Sequence, residues 1–154
     1  MEIIDLITPE TTIAKMHASS KKQALQEMSR LAAGQCDIAE RQILDVLMER
    51  ERLGTTGVGN GIAIPHGRLP GLDKLFGVFC HLDTPVDFQS IDDEPVDLIF
   101  MLLAPEQAGA DHLKALARIS RLLRDRSICE KLRGTDSSDA LYAVLIENRE
   151  NKAA

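Results

Sequence analysis

Apolar residues recur along this chain with two different periods, and the switches between them mark out its elements. Ala24, Leu25, Met28, Leu31 and Ala32 fall three and four apart, the spacing that lines one face of a helix. Ser19 or Ser20 stands where an N-cap belongs, and Gly34 where the helix would end. A second helix is predicted from about Ala39 to Glu51, burying Ile43, Leu44, Leu47 and Met48. Its last turn carries Arg50 and Arg52, which suit the negative end of the helix dipole. Further on the pattern turns strand-like. Phe76–Leu82 reads as one strand, and Val96–Ala104, almost wholly apolar, as a central strand covered on both faces. Thr12–His17 alternates loosely enough to be an edge strand, after a single helical turn around Ile3–Ile7 that Thr8-Pro9 closes. Thr84-Pro85 and Ser90–Pro95 are turn signals flanking the short segment Val86–Phe88, and Pro105–Ala110 is a loop.

Asp111 is expected to cap a helix from His112 to Arg124, with Leu113, Leu116, Ala117, Ser120 and Leu123 on its inner face. Two shorter helices follow, roughly Ser127–Leu132 and Ser138–Asn148. Strands and helices are interspersed, and no repeat, linker or low-complexity segment breaks the chain. The expectation is one α/β domain over residues 1–150, with a mostly buried sheet between helices and a frayed polar tail at 151–154.

One stretch does not fit a purely structural pattern. Residues 57–68 read GVGNGIAIPHGR. Ile62-Ala63-Ile64 is a short apolar strand, and Pro65 should stop its ladder, having no N–H to donate. His66 then stands at the strand's end among glycines, with Gly67 letting the chain leave by an unusual path. A neutral imidazole so placed can act as a nucleophile toward phosphorus or carbonyl carbon near neutral pH. The residues alone leave a second reading open, a turn-terminal histidine in a glycine-rich loop. His112 falls in the first turn of its predicted helix, where the dipole favours the neutral ring and the leading amides can meet an anion. His17 reads as a solvated strand-end residue and His81 as structural.

Composition narrows the field. At 154 residues the chain can bury a sizeable core without staples. A net charge of −6 and only 3% aromatic residues argue against a nucleic-acid surface, which wants a basic face and stacking platforms. Cys36, Cys80 and Cys129 are odd in number, far apart and outside any zinc-like spacing, as expected of reduced thiols in a cytoplasmic protein. The acidic opening MEIIDLITPE is unlike an export signal, and the longest apolar run is too short for membrane insertion.

Three chemistries compete for the histidines. A metal needs three or four ligands, and no third partner stands at metal spacing from His66 and His112. A hydrolase needs a Ser or Cys nucleophile beside a base, and no GxSxG is present. A phosphoryl carrier asks for less: one histidine, a basic or amide-lined pocket, and an open approach for a partner. Phosphoryl transfer relies on positioning and charge stabilisation, which an arginine (Arg50 or Arg52), a helix N-terminus and glycine amides could supply.

The string RERLGTTGVGNGIAIPHG, Arg50 to Gly67, resembles the active-site signature of the enzyme IIA components of the bacterial phosphotransferase system, mannitol/fructose class. GVGNGIAIPHG is similar to the nitrogen-regulatory branch of that class. The likeness extends through SSKKQALQEMSRLAA, FGVFCHLDTPVDFQSIDDEPVDLIFMLLAP, DHLKALARISRLL and ICEKLR…LYAVL, nearly the whole chain. It implies a mixed sheet sandwiched between helices. It makes His66 the histidine phosphorylated on its tele nitrogen, His112 an assisting histidine, and Arg50 the arginine near the phosphoryl group. A small phosphocarrier protein would be the donor, with no cofactor or metal. The chain would thus be a transferase-like phosphohistidine carrier rather than a small-molecule enzyme. Its phosphorylation state would act on partners such as potassium transporters or sensor kinases. The alternative is a sugar-specific component passing the group to a fructose or mannitol IIB domain. Arg68 departs from the pattern, since the branch often carries lysine there; a planar fork replaces a point charge and bears on donor docking.

Overall fold

The computed structural model describes the backbone of residues 1–153 and the side chains of residues 1–147. Two 3-10 turns, Ile3–Asp5 and Pro9–Thr11, lead into strand β1 (Thr12–Met16) and helices α1 (Lys21–Cys36) and α2 (Glu40–Arg52). Three short strands follow, β2 (Gly57–Gly59), β3 (Ile62–Ala63) and β4 (His66–Leu69), and then two long ones, β5 (Phe76–Val86) and β6 (Val96–Pro105). Helices α3 (Ala110–Leu123), α4 (Arg126–Arg133) and α5 (Ser138–Ala153) complete the order.

Strand β6 organises the rest. It pairs antiparallel with β5 along one edge and parallel with both β3 and β4 along the other. Parallel β1 extends the sheet beyond β5, and antiparallel β2 extends it beyond β3. Alternate residues of β6 serve two cores, as the two-residue period of a strand requires. Ile99, Met101 and Leu103 pack with Leu25, Met28, Ile43 and Leu47 of α1 and α2. Leu98, Phe100 and Leu102 pack with Ala115, Ile119, Leu122, Leu141 and Leu145 of α3 and α5. The sheet is mixed and lies between helical layers, as expected from the sequence.

Several boundaries differ from the sequence reading, each for a physical reason. Gly34 lies inside α1, which runs on to Cys36 and ends where Asp37 turns left-handed at φ 59°. A helical glycine costs about 1 kcal/mol relative to alanine, which weakens a helix without stopping it. Ser20 caps the start, accepting the Gln23 N–H at 3.1 Å. In α2, Leu44 and Met48 are half-buried, and the fully buried positions are Ile43, Leu47 and the charged Glu51. Thr84-Pro85 does not interrupt β5, because that stretch passes a register shift between His81 and Val86 where ladder bonds lapse.

The phase of α3 also differs. Gly109, not Asp111, is the N-cap, and the buried face is His112, Ala115, Ile119, Leu122 and Leu123. Leu113 is exposed. A stripe through Leu113 and Leu116 matches apolar spacing, yet the helix is rotated so that His112 faces inward. α5 continues to Ala153, past the expected end at Asn148. The expected fray at 151–154 lies outside the residues whose side chains are described.

Pro65 interrupts the pairing alongside β6 without ending it. Ile62–Ala63 pairs with β6, the ladder lapses, and His66–Leu69 pairs with β6 again. The Pro65 carbonyl still accepts the Leu102 N–H at 2.9 Å, so only the missing donor is lost. His66 is therefore the first residue of a resumed strand, opposite Leu102, rather than the last residue before a turn. Gly67 is needed for contact rather than for turning. A Cβ there would lie 2.3 Å from Val46 Cγ1 of α2, and Val46 is β-branched and stiff. The Gly67→Ala substitution is expected to destabilise by about 1–3 kcal/mol through overpacking. Added Val46→Ala should recover part of that loss in a chemical denaturation series, and strict additivity of the two changes would count against the contact.

Candidate functional site

Strand parity builds the site. In β4, Gly67 and Leu69 face α2, while His66 and Arg68 project from the other face, toward α3. There the first turn of α3 presents His112. The His66 and His112 rings meet edge to face, with centroids 5.7 Å apart and planes inclined by 69°. Arg68 Nε donates to His112 Nδ1 at 3.1 Å, and its Nη1 reaches the Glu106 carbonyl at 3.5 Å.

These bonds fix both tautomers. His66 Nδ1 lies 2.8 Å from the Ile64 carbonyl oxygen, which can only accept, so Nδ1 carries the proton. In the neutral ring Nε2 then holds a free lone pair. Arg68 can only donate, so His112 Nδ1 is the acceptor and Nε2 of that ring carries the hydrogen. His112 Nε2 is buried and has no hydrogen-bond partner among the described residues. The site thus offers a lone pair on one ring and an unused donor on the other.

Its electrostatics favour neutral rings. Burial holds His66 below the usual histidine value; the Ile64 carbonyl opposes this, and the Arg50 charge adds to the lowering. His112 is lowered by burial first, then by His66 and Arg68. Arg50, from the last turn of α2, donates from Nη1 to the Gly54 carbonyl at 2.9 Å. Arg50 is near enough for its charge to bear on the His66 ring, against which His112 lies.

Arg68 is the member that sequence reasoning gave too small a part. Its two-residue offset from His66 was the available signal, because i and i+2 share a face in a strand. That signal was hidden while His66 was placed at a strand's end. His17 and His81 lie elsewhere. His17 is exposed, 3.5 Å from Asp83. His81 Nε2 is 3.8 Å from Asp97, a partner that comes from the neighbouring strand rather than from nearby sequence. Among the described residues no group of three or more His, Cys, Asp and Glu side chains converges as a metal ion would need. The three cysteines are unbridged.

The chain is similar to known proteins over nearly its whole length. Residues 5–148 match the family described as phosphoenolpyruvate-dependent sugar phosphotransferase system, EIIA 2. A nitrogen regulatory protein of Bradyrhizobium diazoefficiens is 57% identical, with 94% of this chain and 95% of that protein covered. The nitrogen regulatory protein of Escherichia coli K12 is 38% identical over 96% of this chain and 91% of that protein. The crystal structure of the nitrogen regulatory protein IIA-Ntr from Neisseria meningitidis superposes with a TM-score of 0.88 at 34% identity, covering 93% of this chain and 98% of that one.

Depressed histidines make a signed prediction. Both rings bind fewer protons folded than unfolded below about pH 6.5. Their contribution to stability is full above that value and is lost as pH falls through the folded midpoints. NMR titration should place both midpoints below about 6.5. In the His66→Gln variant the fall of unfolding free energy with acid should be shallower. A midpoint at or above the ordinary value for either ring contradicts the site's electrostatics.

Proposed function

The chain belongs to the phosphoenolpyruvate-dependent sugar phosphotransferase system EIIA 2 family, and from that membership we propose that it is a phosphoryl-accepting regulatory protein of a nitrogen-related phosphotransferase system. A phosphocarrier protein donates the group to His66 in the cytoplasm. The observation that carries this reading is the hydrogen bond from His66 Nδ1 to the Ile64 carbonyl, which leaves Nε2 free beside an unpartnered donor on His112.

The step balances as a displacement. The Nε2 lone pair of neutral His66 attacks phosphorus of the donor's phosphohistidine in line. As the new P–N bond forms, the donor's P–N bond breaks and its imidazole nitrogen keeps the electron pair. His112 Nε2–H donates to an equatorial oxygen, held in that role by Arg68 on its other nitrogen. Arg50 and Arg68 offset the charge on the transferring group, as positioned cations do in phosphoryl transfer. Burial keeps both rings neutral, so the nucleophile is not lost to protonation near neutral pH.

A visiting protein needs apolar surface to dock on. Met1, Leu53, Val58, Ile91 and Leu113 are the exposed large apolar side chains among the described residues. Four of them sit on or against the segments that carry the site. Leu53 follows Arg50 by three residues, Val58 is in β2, Ile91 N–H reaches the Gly57 carbonyl, and Leu113 adjoins His112. Exposed apolar side chains beside the site suit contact with a protein partner. Phosphorylation adds close to two negative charges at neutral pH, enough to alter which partners this surface accepts. Potassium transporters or sensor kinases are of the kind such a protein would regulate. Similarity to nitrogen regulatory proteins favours this role over service to a sugar permease.

The test is incubation with phosphoenolpyruvate, the system's first enzyme and a phosphocarrier protein, followed by intact mass measurement. The wild type should gain one phosphoryl group, and His66→Ala none. His112→Ala should still reach the modified state, slower by on the order of 10²-fold, as for loss of one transition-state donor. Undiminished labelling of His66→Ala would reject the assignment of the acceptor. Wild-type rates in His112→Ala would remove that ring from the mechanism.

A further inference from the structure

Lys21 and Glu51 form a buried ion pair that neither of their helices favours. Lys21 opens α1, at the positive end of its dipole, and Glu51 lies in the last turn of α2, at the negative end. Each charge is thus on the unfavourable end of its own helix. Nζ and Oε2 are 2.7 Å apart, with the side chains 16% and 4% exposed. Buried pairs of this kind contribute little net stability compared with packed apolar residues. The carboxylate does have a second task.

Glu51 holds Thr56. The Thr56 N–H lies 3.2 and 3.3 Å from the two carboxylate oxygens, and the Thr56 hydroxyl donates to Oε1 as well. The Thr56 carbonyl accepts the Ile64 N–H at 3.0 Å. The Ile64 carbonyl accepts from His66 Nδ1 at 2.8 Å. One hydrogen-bonded chain therefore runs from the first residue of α1 through Glu51, Thr56 and Ile64 to the imidazole. Its outer end is clamped, because the Lys21 ammonium also sits 5.1 Å from the centre of the Phe88 ring. Thr55 Oγ1 donates to the Phe88 carbonyl at 2.7 Å and fixes the same loop.

We propose that Lys21 and Glu51 are positioning residues for His66: through Thr56 they fix Ile64, and so hold the imidazole as the Nδ1–H tautomer with Nε2 presented outward. The functional consequence rests on His66 being the phosphoryl acceptor, while the positioning itself is a property of the unmodified protein. Neither residue touches the transferring group. Their loss lowers the fraction of His66 in the reactive tautomer without removing any group from the site.

The test uses the full chain. Long-range proton–nitrogen correlation spectra report the His66 tautomer, and donor-dependent phosphoryl uptake reports kcat and KM. In the wild type the Nδ1–H form should dominate. In Glu51→Gln the tautomers should mix, with kcat reduced about tenfold, the lower range for loss of an orienting partner, and the donor KM changed less than about twofold. Lys21→Met/Glu51→Gln leaves no charge unpaired and serves where Glu51→Gln does not fold; it should show the same mixing. A wild-type tautomer ratio in the folded variants overturns the proposal, whatever the uptake rate. If the wild type takes no phosphoryl group, the proposed function fails, and the tautomer spectra still decide the positioning.

Discussion

The Ile64 carbonyl bound by His66 Nδ1 is the interaction on which the rest of the structure depends. Ile64 turns its backbone away from β6: its N–H is taken by the Thr56 carbonyl, and its carbonyl, on that same side, is taken by the imidazole two residues on. Resumption of the strand at His66 then sets the direction of the ring. Its parity with Leu102 sends it to the α3 face, where His112 is waiting, and sends Gly67 to the α2 face, where only hydrogen fits. The two-sided core of β6 makes this geometry stiff. A one-residue slip would exchange the faces and carry His66 away from α3.

Burial and the arginines act in the same direction at the site, opposed at His66 by the Ile64 carbonyl and the Glu51 charge. Two imidazoles lie close together near two arginines, an arrangement that penalises a positive ring. Keeping both rings neutral keeps a lone pair on one and a single N–H on the other. In the proposed transfer the arginines face incoming negative charge instead of competing with it. This suits transfer between groups of similar chemistry, where the protein's contribution is placement and electrostatic preorganisation rather than a new reactive centre.

Much of this was legible in the residues, and the misreadings have definite causes. The apolar run Val96–Ala104 announced a strand buried on both sides, because seven successive apolar positions bounded by turn signals leave neither face of a strand for solvent. The Gly-rich stretch announced His66, and its resemblance to a known signature brought in His112 and Arg50. The inner face of α3 was misread because Leu113 is apolar and His112 is polar. Here the polar residue is buried and the leucine exposed, a reversal of ordinary burial that occurs where a site and a contact surface replace core packing. Pro65 was read as a terminus because proline usually is one on a central strand. On this edge it removes a single donor and the ladder resumes. Arg68 was then read only as a charge bearing on donor docking, since its link to His112 depends on the strand continuing. The Lys21–Glu51 pair joins residues thirty positions apart, and no local pattern in either helix points to the other.

The central claim is that one ring nitrogen is held back by the Ile64 carbonyl and the other is presented for reaction. Nitrogen NMR of the phosphorylated protein tests it most directly, by showing which nitrogen of His66 carries phosphorus. The account predicts phosphorus on Nε2 alone, with the Nδ1 proton still bonded to the carbonyl. Phosphorus on Nδ1, or divided between the two nitrogens, would contradict it.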